Sequence, residues 1–293
     1  MQHVQRVLSV SERRACQAIG QPRSTQRYTT NCVELDKPLV AAMLRWALRY
    51  PRYGYRRITA LLRKEGWRVN KKRVHRLWVA NGLKVPRKQH KKRRLGLEEN
   101  GCQHYKALHK DHVWTYDFTQ DRTEDGRMLR FLEVVDEYTR ECLALEVDRS
   151  FKATEVVEIL KWLFSVRGAP GHIRSDNGSE FIAHVVKVFL AASQVGTLYI
   201  EPGSPWQNGY SESFNSRLED ELLGREIFTS VAQAQVLATR YMHQYNHRRP
   251  HSSLGYQTPA AFAAACAPSG SAALRPSEHT QAKQNVTLIS SGT

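Results

Sequence analysis

From residue 111 the chain switches repeatedly between strand-like and helix-like apolar spacing, and this confines it to an α/β architecture. HVWTYDFT (112–119) reads as a strand. MLRFLEVVDEYTRECLALEV (128–147) reads as two strands around a turn near Tyr138–Arg140. TEVVEILKWLFSVRG (154–168) has amphipathic helical spacing and is closed by Gly168. HIRSD, AHVVKVFLAASQ and TLYIE follow as strand, helix and strand. PGSPWQNGY (202–210) is a turn-rich loop, SESFNSRLEDELLG (211–224) a helix, and SVAQAQVLATRYMHQYNHRRPH (230–251) contains a last long helix. Three strands, then helix, strand, helix, strand, helix, predict a mixed sheet with helices packed on it.

The first 110 residues follow another plan. PLVAAMLRWALRY, YRRITALLRKEG and NKKRVHRLWVANG each carry helical spacing, stopping before Pro51, at Gly66 and at Gly82. In the third, Asn70 is a candidate N-cap and Val74, Leu77 and Trp78 form the buried stripe. Lys71, Lys72, Arg73, His75 and Arg76 lie off that stripe, as in a helix laid in a major groove; a solvated face on a three-helix bundle also fits. Upstream, SERRACQAIGQPRSTQRY reads as two short helices around Gly20, a helix-turn-helix pattern.

Charge divides the chain the same way. The net charge is +16, yet Lys and Arg outnumber Asp and Glu only before residue 111; the remainder is mildly acidic. Dense phosphate is the usual partner of such a block. PRKQHKKRRLG (86–96) has little to bury and reads as a linker able to track a phosphate backbone; its composition alone would also suit nuclear localisation. The tail after 267 is rich in Ser, Ala, Pro and Gln and is predicted to be disordered. The five cysteines are far apart with no Cys-x-x-Cys pair, which argues against a zinc ribbon or a disulfide framework. No signal-like or membrane-spanning apolar run occurs, so an intracellular, cytoplasmic protein is expected. The predicted organisation is a helical, helix-turn-helix-type basic region (1–85) suited to DNA, a basic linker (86–110), an α/β core (111–225), a C-terminal helical extension (226–266) and the tail (267–293).

Three acids stand out. Asp176, in IRSDNGSEF, ends a short strand, where open α/β sheets present ligand crevices. Asp117 lies within an apolar, aromatic strand, a costly place for an unpaired carboxylate. Glu212 sits away from the centre of the Phe214, Leu218, Leu222 stripe of its helix. Each alone also fits a paired structural acid; Asp136 is as strand-borne as Asp117, and Glu219, Asp220 and Glu221 read as a solvated helix face. Together, three carboxylates from two strands and a helix suit a pair of Mg²⁺ ions roughly 3.5–4 Å apart, the arrangement for in-line phosphodiester displacement.

The set WTYDFT, IRSDNGSEF and SPWQNGYSESFNSRL resembles the DDE catalytic core of retroviral integrases and bacterial transposases. Asp176 and Glu212 are separated by 35 residues and Asp117 precedes Asp176 by 59, as in that core. YNHRRPHSSLGYQTPAAF, YGYRRI and VNKKRVHRLWVANGL resemble the tail and upstream helices of insertion-sequence transposases of the IS-three family. The resemblance runs from about residue 10 to 265 and implies an RNase H-like mixed sheet preceded by an all-α helix-turn-helix-type region. It implies a DNA transposase, the second-frame product. Asp117, Asp176 and Glu212 would form the catalytic and metal-binding triad, with Mg²⁺ as two ions and Mn²⁺ able to substitute.

Expected partners are double-stranded DNA (terminal inverted repeats and target), an upstream-frame transposase product and further copies of the chain on DNA. Expected DNA contacts are Lys71, Lys72, Arg73, Arg76, Arg87, Lys88, Lys91, Lys92, Arg93 and Arg94, with Gln207 and Asn208 either at strand ends or simply forming the turn. An RNase H-like structure-specific nuclease, or a DNA-binding regulator without catalysis, are the alternatives. The family places Lys or Arg seven residues after the glutamate; here Glu219 occupies that position, and Arg217 is the nearby base. No His-His-Cys-Cys zinc module of the retroviral kind is present.

Overall fold

A computed structural model describes residues 7, 9–27, 32–83, 85, 105–175, 184–199 and 209–266. The chain forms two compact units, Met1–Lys88 and Gln89–Thr293. Most of the 86–110 linker and all of the 267–293 tail fall outside the described residues.

In the first unit, α1 (Glu12–Ile19) starts at Ser11, whose hydroxyl accepts from Arg14 N, and stops at Gly20 with φ +67. Helix α2 (Arg23–Arg27) returns to it through a bidentate Arg27–Glu12 pair. Helices α3 (Cys32–Arg49), α4 (Tyr55–Lys64) and α5 (Lys71–Ala80) then share one core built on Leu39, Met43, Ile58, Leu62, Val74 and Trp78. Asn70 caps α5 by accepting from Lys72 N, and the Val74, Leu77, Trp78 stripe is buried as its spacing predicts. One boundary differs. Helix α3 begins at Cys32 and runs through Pro38, where the sequence suggested a start. Proline inside a helix forfeits a backbone hydrogen bond. The extra turns carry Asp36, which is buried and held from outside the helix by Arg73 and Arg76. That tertiary contact offsets the local penalty.

The second unit is built on five strands: β1 (Val113–Arg122), β2 (Met128–Asp136), β3 (Cys142–Asp148), β4 (His172–Ser175) and β5 (Gly196–Tyr199). Their order is β3-β2-β1-β4-β5. The first three pair antiparallel, while β4 lies parallel to β1 and β5 parallel to β4. With helices on both faces this is the RNase H-like mixed sheet. Alternation along the strands sorts the side chains onto two cores. Trp114, Tyr116, Leu132 and Val134 pack under α6 (Ala153–Arg167) and α7 (His184–Ala192). Leu129, Phe131, Val135 and Leu145 face α8 (Gly209–Leu218) and α9 (Val231–His247). Helix α9 is thus a layer of the sheet's own core. A short α10 (Pro259–Ala265) follows. Among the described residues no helix is long and apolar enough to cross a membrane.

Helix α8 does not run on regularly to Gly224 as its spacing suggested. It widens into a π turn, Glu219–Leu223, closed by Gly224 N donating to Glu219 O. The π turn carries a contact that helical spacing does not report, the Glu221–Arg249 pair. The Glu221 side chain is 5% exposed and meets the buried Arg249, bonded at 2.8–3.0 Å through Nε and Nη2. Glu221 therefore does not belong to a solvated face.

Candidate active site

Asp117 sits mid-strand in β1, on the face that looks toward α8. The helix is docked there by two polar contacts. Thr115 Oγ1 and Ser211 Oγ are fully buried and 2.6 Å apart. Asn215 Nδ2 donates to Asp117 Oδ2 at 3.2 Å, while Phe118 N donates to Asp117 Oδ1 at 2.8 Å. Glu212 is exposed in the first turn of α8, next to Ser211 and three residues before Asn215. Helical rotation therefore puts it on the flank of the surface that touches β1.

Strand β4 lies on the other side of β1, with Thr115 opposite Arg174. Its last described residue is Ser175; Asp176 lies outside the described residues. The strand end is pinned from below. Buried Arg174 donates through Nε to Glu137 Oε1 at 2.7 Å and through Nη2 to Tyr105 O at 2.6 Å. Burial nonetheless pushes the Glu137 carboxyl up to about 7 against the pull of that guanidinium.

A fourth acid, missed in the sequence, lies directly across the ladder from Asp117. Glu133 of β2 pairs with it in register and is wholly buried. Burial first, and the Asp117 charge second, push its carboxyl well above the ordinary carboxylate range. Thr119 Oγ1 donates to Glu133 Oε1 at 3.3 Å, while Oε2 has no hydrogen-bond partner among the described residues. The signal was present: position 133 is in phase with Leu129, Phe131 and Val135, so any residue there had to face the α8 core. Asp136, the tempting decoy, is a turn organiser. It accepts from Asp111 N, Tyr138 N and Thr139 Oγ1.

Among the described residues no group of three His, Cys, Asp or Glu could hold a metal. Asp117 and Glu212 offer hard carboxylate oxygens, which fit Mg²⁺ or Mn²⁺ rather than a thiolate-seeking ion.

Comparison with known proteins identifies the setting. Two models described as integrase core domain match residues 107–205 and 193–259, and one described as HTH-like domain matches 34–92. The chain is 34% identical over 264 residues to the insertion element IS407 uncharacterized 31.7 kDa protein of Burkholderia multivorans, across 90% of this chain and 94% of that one. The chain belongs to the integrase-core transposase family of insertion elements. The transposase is also 36% identical over 255 residues to the insertion element IS476 uncharacterized 39.2 kDa protein of Xanthomonas euvesicatoria, across 87% of this chain and 73% of that one. Among solved structures it is similar to the HTLV-2 integrase catalytic core domain in complex with magnesium, with TM-score 0.41 and 15% identity over 54% of this chain and 99% of that one.

In the first unit of the transposase, Lys71 and Lys72 are exposed at the start of α5. Arg73 and Arg76 are differently engaged: both guanidinium groups bind the Asp36 carboxylate, Arg73 through Nε at 2.8 Å and Arg76 at 3.0 Å. The off-stripe positions thus include a clamp between α5 and α3 as well as solvated cations. Asp36→Ala is expected to cost about 1.5–3 kcal/mol, the range for hydrogen bonds to a charged group. It should also release two cations toward phosphate, steepening the salt dependence of DNA binding. Chemical denaturation and a salt titration check the two halves. Arg87, Lys88, Lys91, Lys92, Arg93, Arg94, Gln207 and Asn208 lie outside the described residues. Glu219 is exposed where the π turn begins, and Arg217 leans toward Asp220, 3.8 Å away.

Proposed function

We propose that Asp117, Asp176 and Glu212 act together on DNA phosphodiesters, cutting at insertion-sequence ends and joining the freed 3′-hydroxyl to another strand. The observation that carries this is the docking of the Glu212 helix onto the Asp117 strand, with the strand that runs into Asp176 alongside. Asp117, Asp176 and Glu212 would hold divalent cations, Mg²⁺ by preference, which when bound would supply Lewis-acid activation and charge neutralisation at the phosphate. Asp117 is fixed for this role by Asn215 and by the Phe118 amide, so its carboxylate is oriented before substrate arrives. Glu212 stands at an exposed helix start, where a DNA strand can reach it. The first unit, with Lys71 and Lys72, binds the terminal inverted repeats, and residues 87–94 follow the backbone. Paired ends require paired sites, so the transposase acts as a multimer on DNA, together with an upstream-frame product.

A strand-transfer assay tests this reading. Full-length chain, Mg²⁺ and labelled element-end DNA should give joined products. Chelation, or Asp176→Asn, should give none. Cutting without joining would assign a nuclease instead, and tight binding with neither would assign a regulator.

A further inference from the structure

The turn between β2 and β3 carries a cation in an unusual state. Arg140 has φ +64, a left-handed conformation uncommon away from glycine. Asp136 enforces it: its carboxylate gathers Tyr138 N and Thr139 Oγ1, and its carbonyl accepts from Arg140 N at 2.8 Å. The guanidinium lies over the ring of Tyr210, 3.9 Å from its centroid. Its Nε and Nη1 are buried with no acceptor among the described residues. Backbone strain and unanswered donors on one side chain mark a place prepared for a ligand.

Arg140 and Tyr210 line a cavity of about 300 Å³ with Ser213, His251, Ser252 and Ser253. None of its described lining residues is acidic. Ser253 Oγ and His251 Nδ1 are 2.9 Å apart at one side, and Ser213, Ser252 and Ser253 are exposed. Glu137, three residues before Arg140, feels its charge but does not line the cavity, and the face the guanidinium turns to the cavity meets hydroxyls and an imidazole, which is complementary to an anion. Its place says which anion. Tyr210 and Ser213 lie on the first turns of α8, the helix start that also carries exposed Glu212, although the Glu212 side chain does not line the cavity.

We propose that this cavity is a subsite for one backbone phosphate of the DNA strand, a neighbour of the reacting phosphodiester. Arg140 supplies the charge and Ser213, Ser252 and Ser253 supply hydrogen bonds. The subsite positions the strand across Glu212 and takes no part in bond making. It also gives a task to the RPHSS stretch (249–253), whose His251, Ser252 and Ser253 form one wall. The inference rests on DNA being the substrate.

The test reads binding rather than cleavage. Full-length chain is titrated in Ca²⁺ with a forked duplex oligonucleotide, intact or carrying single neutral methylphosphonates along one strand. Arg140→Gln should weaken binding several-fold and reduce the slope of log K against log salt by about 0.9, the share of one phosphate. One methylphosphonate position should weaken the wild type and leave Arg140→Gln indifferent. Ser253→Asp, which adds a rim carboxylate without touching the strained turn, should give the same pattern, and it decides the matter if Arg140→Gln fails to fold. Wild-type slope and an unchanged methylphosphonate profile in the folded variants would overturn the subsite. So would stabilisation by inorganic phosphate that depends on Arg140 when no methylphosphonate position does, since that describes a free-anion site. Strand transfer by Arg140→Gln at wild-type efficiency would sink the subsite and leave the transposase reading intact. A methylphosphonate position that weakens the wild type but not Arg140→Gln, without any joining, would do the reverse.

Discussion

Asp117→Asn should abolish cutting and joining, by at least ~10³-fold, while the protein melts at or above the wild-type temperature. The activity loss corresponds to ~4 kcal/mol of transition-state stabilisation, a modest demand for one ligand of a two-metal phosphoryl site. The stability forecast comes from Glu133. Its buried carboxyl is pushed up by desolvation and by the Asp117 charge across the ladder. A carboxyl raised in the folded state binds its proton more tightly there, so the stability it contributes falls as pH rises from the ordinary carboxylate range toward the raised value. The amide removes the repelling charge, lowers that upper limit and shrinks the loss. The variant's advantage should therefore be larger at pH 8 than at pH 5. Asn keeps an oxygen for the Phe118 amide, and Asn215 can meet the new side chain by turning its own amide. Melting curves at the two pH values, beside strand-transfer rates in Mg²⁺, separate the effects. A drop of several degrees in melting temperature would make Asp117 a structural acid and remove the centre of the proposed site.

Periodicity made the sheet, its helices and both sets of buried stripes readable, because spacing reports which face of an element is buried. It located the turn at Tyr138–Arg140 and the faces of α5 and α8. It does not report partners. Glu133 could be assigned to the α8 side by phase alone, but its place opposite Asp117 depends on strand register. Arg73 and Arg76 look like phosphate contacts until Asp36, far upstream, is seen between them. Spacing places the start of α3 at Pro38, because the contact that offsets the proline for the preceding turns is tertiary. Arg140 belongs to the same class: its turn is legible, whereas the wall formed by residues 251–253 comes from over a hundred positions away. The acids proposed for chemistry were singled out for a separate reason. Their spacing matches a family pattern, and the family match covers most of the chain.

Arg249→Ala should be among the most damaging single changes outside the reacting groups. Arg249 is 1% exposed, and its fork meets both oxygens of Glu221 at 2.8–3.0 Å. The pair ties the π turn that ends the Glu212 helix to the chain beyond α9, with the guanidinium stacked over Tyr245 at 5.3 Å. Truncation strands a buried carboxylate, which typically costs about 3–5 kcal/mol. For a unit of this size each kcal/mol lowers the melting temperature by about 2–4 °C, so a fall of roughly 10 °C is expected. Removing both charges should hurt less: Glu221→Leu with Arg249→Met keeps the volume and leaves no ion unpaired, and it should recover most of the loss. The π turn then becomes the informative element. If Glu221 widens the helix by reaching for Arg249, the double variant is free to close into a regular α-helix, which would rotate Leu222 out of the α9 core. A melting temperature restored together with strand transfer would mean that apolar packing is enough to hold the wide turn. Restored melting with lost transfer would mean that the ion pair sets the register of α8 and, through it, the aim of Glu212. A single variant that melts within a degree of wild type would show that the pair carries neither role.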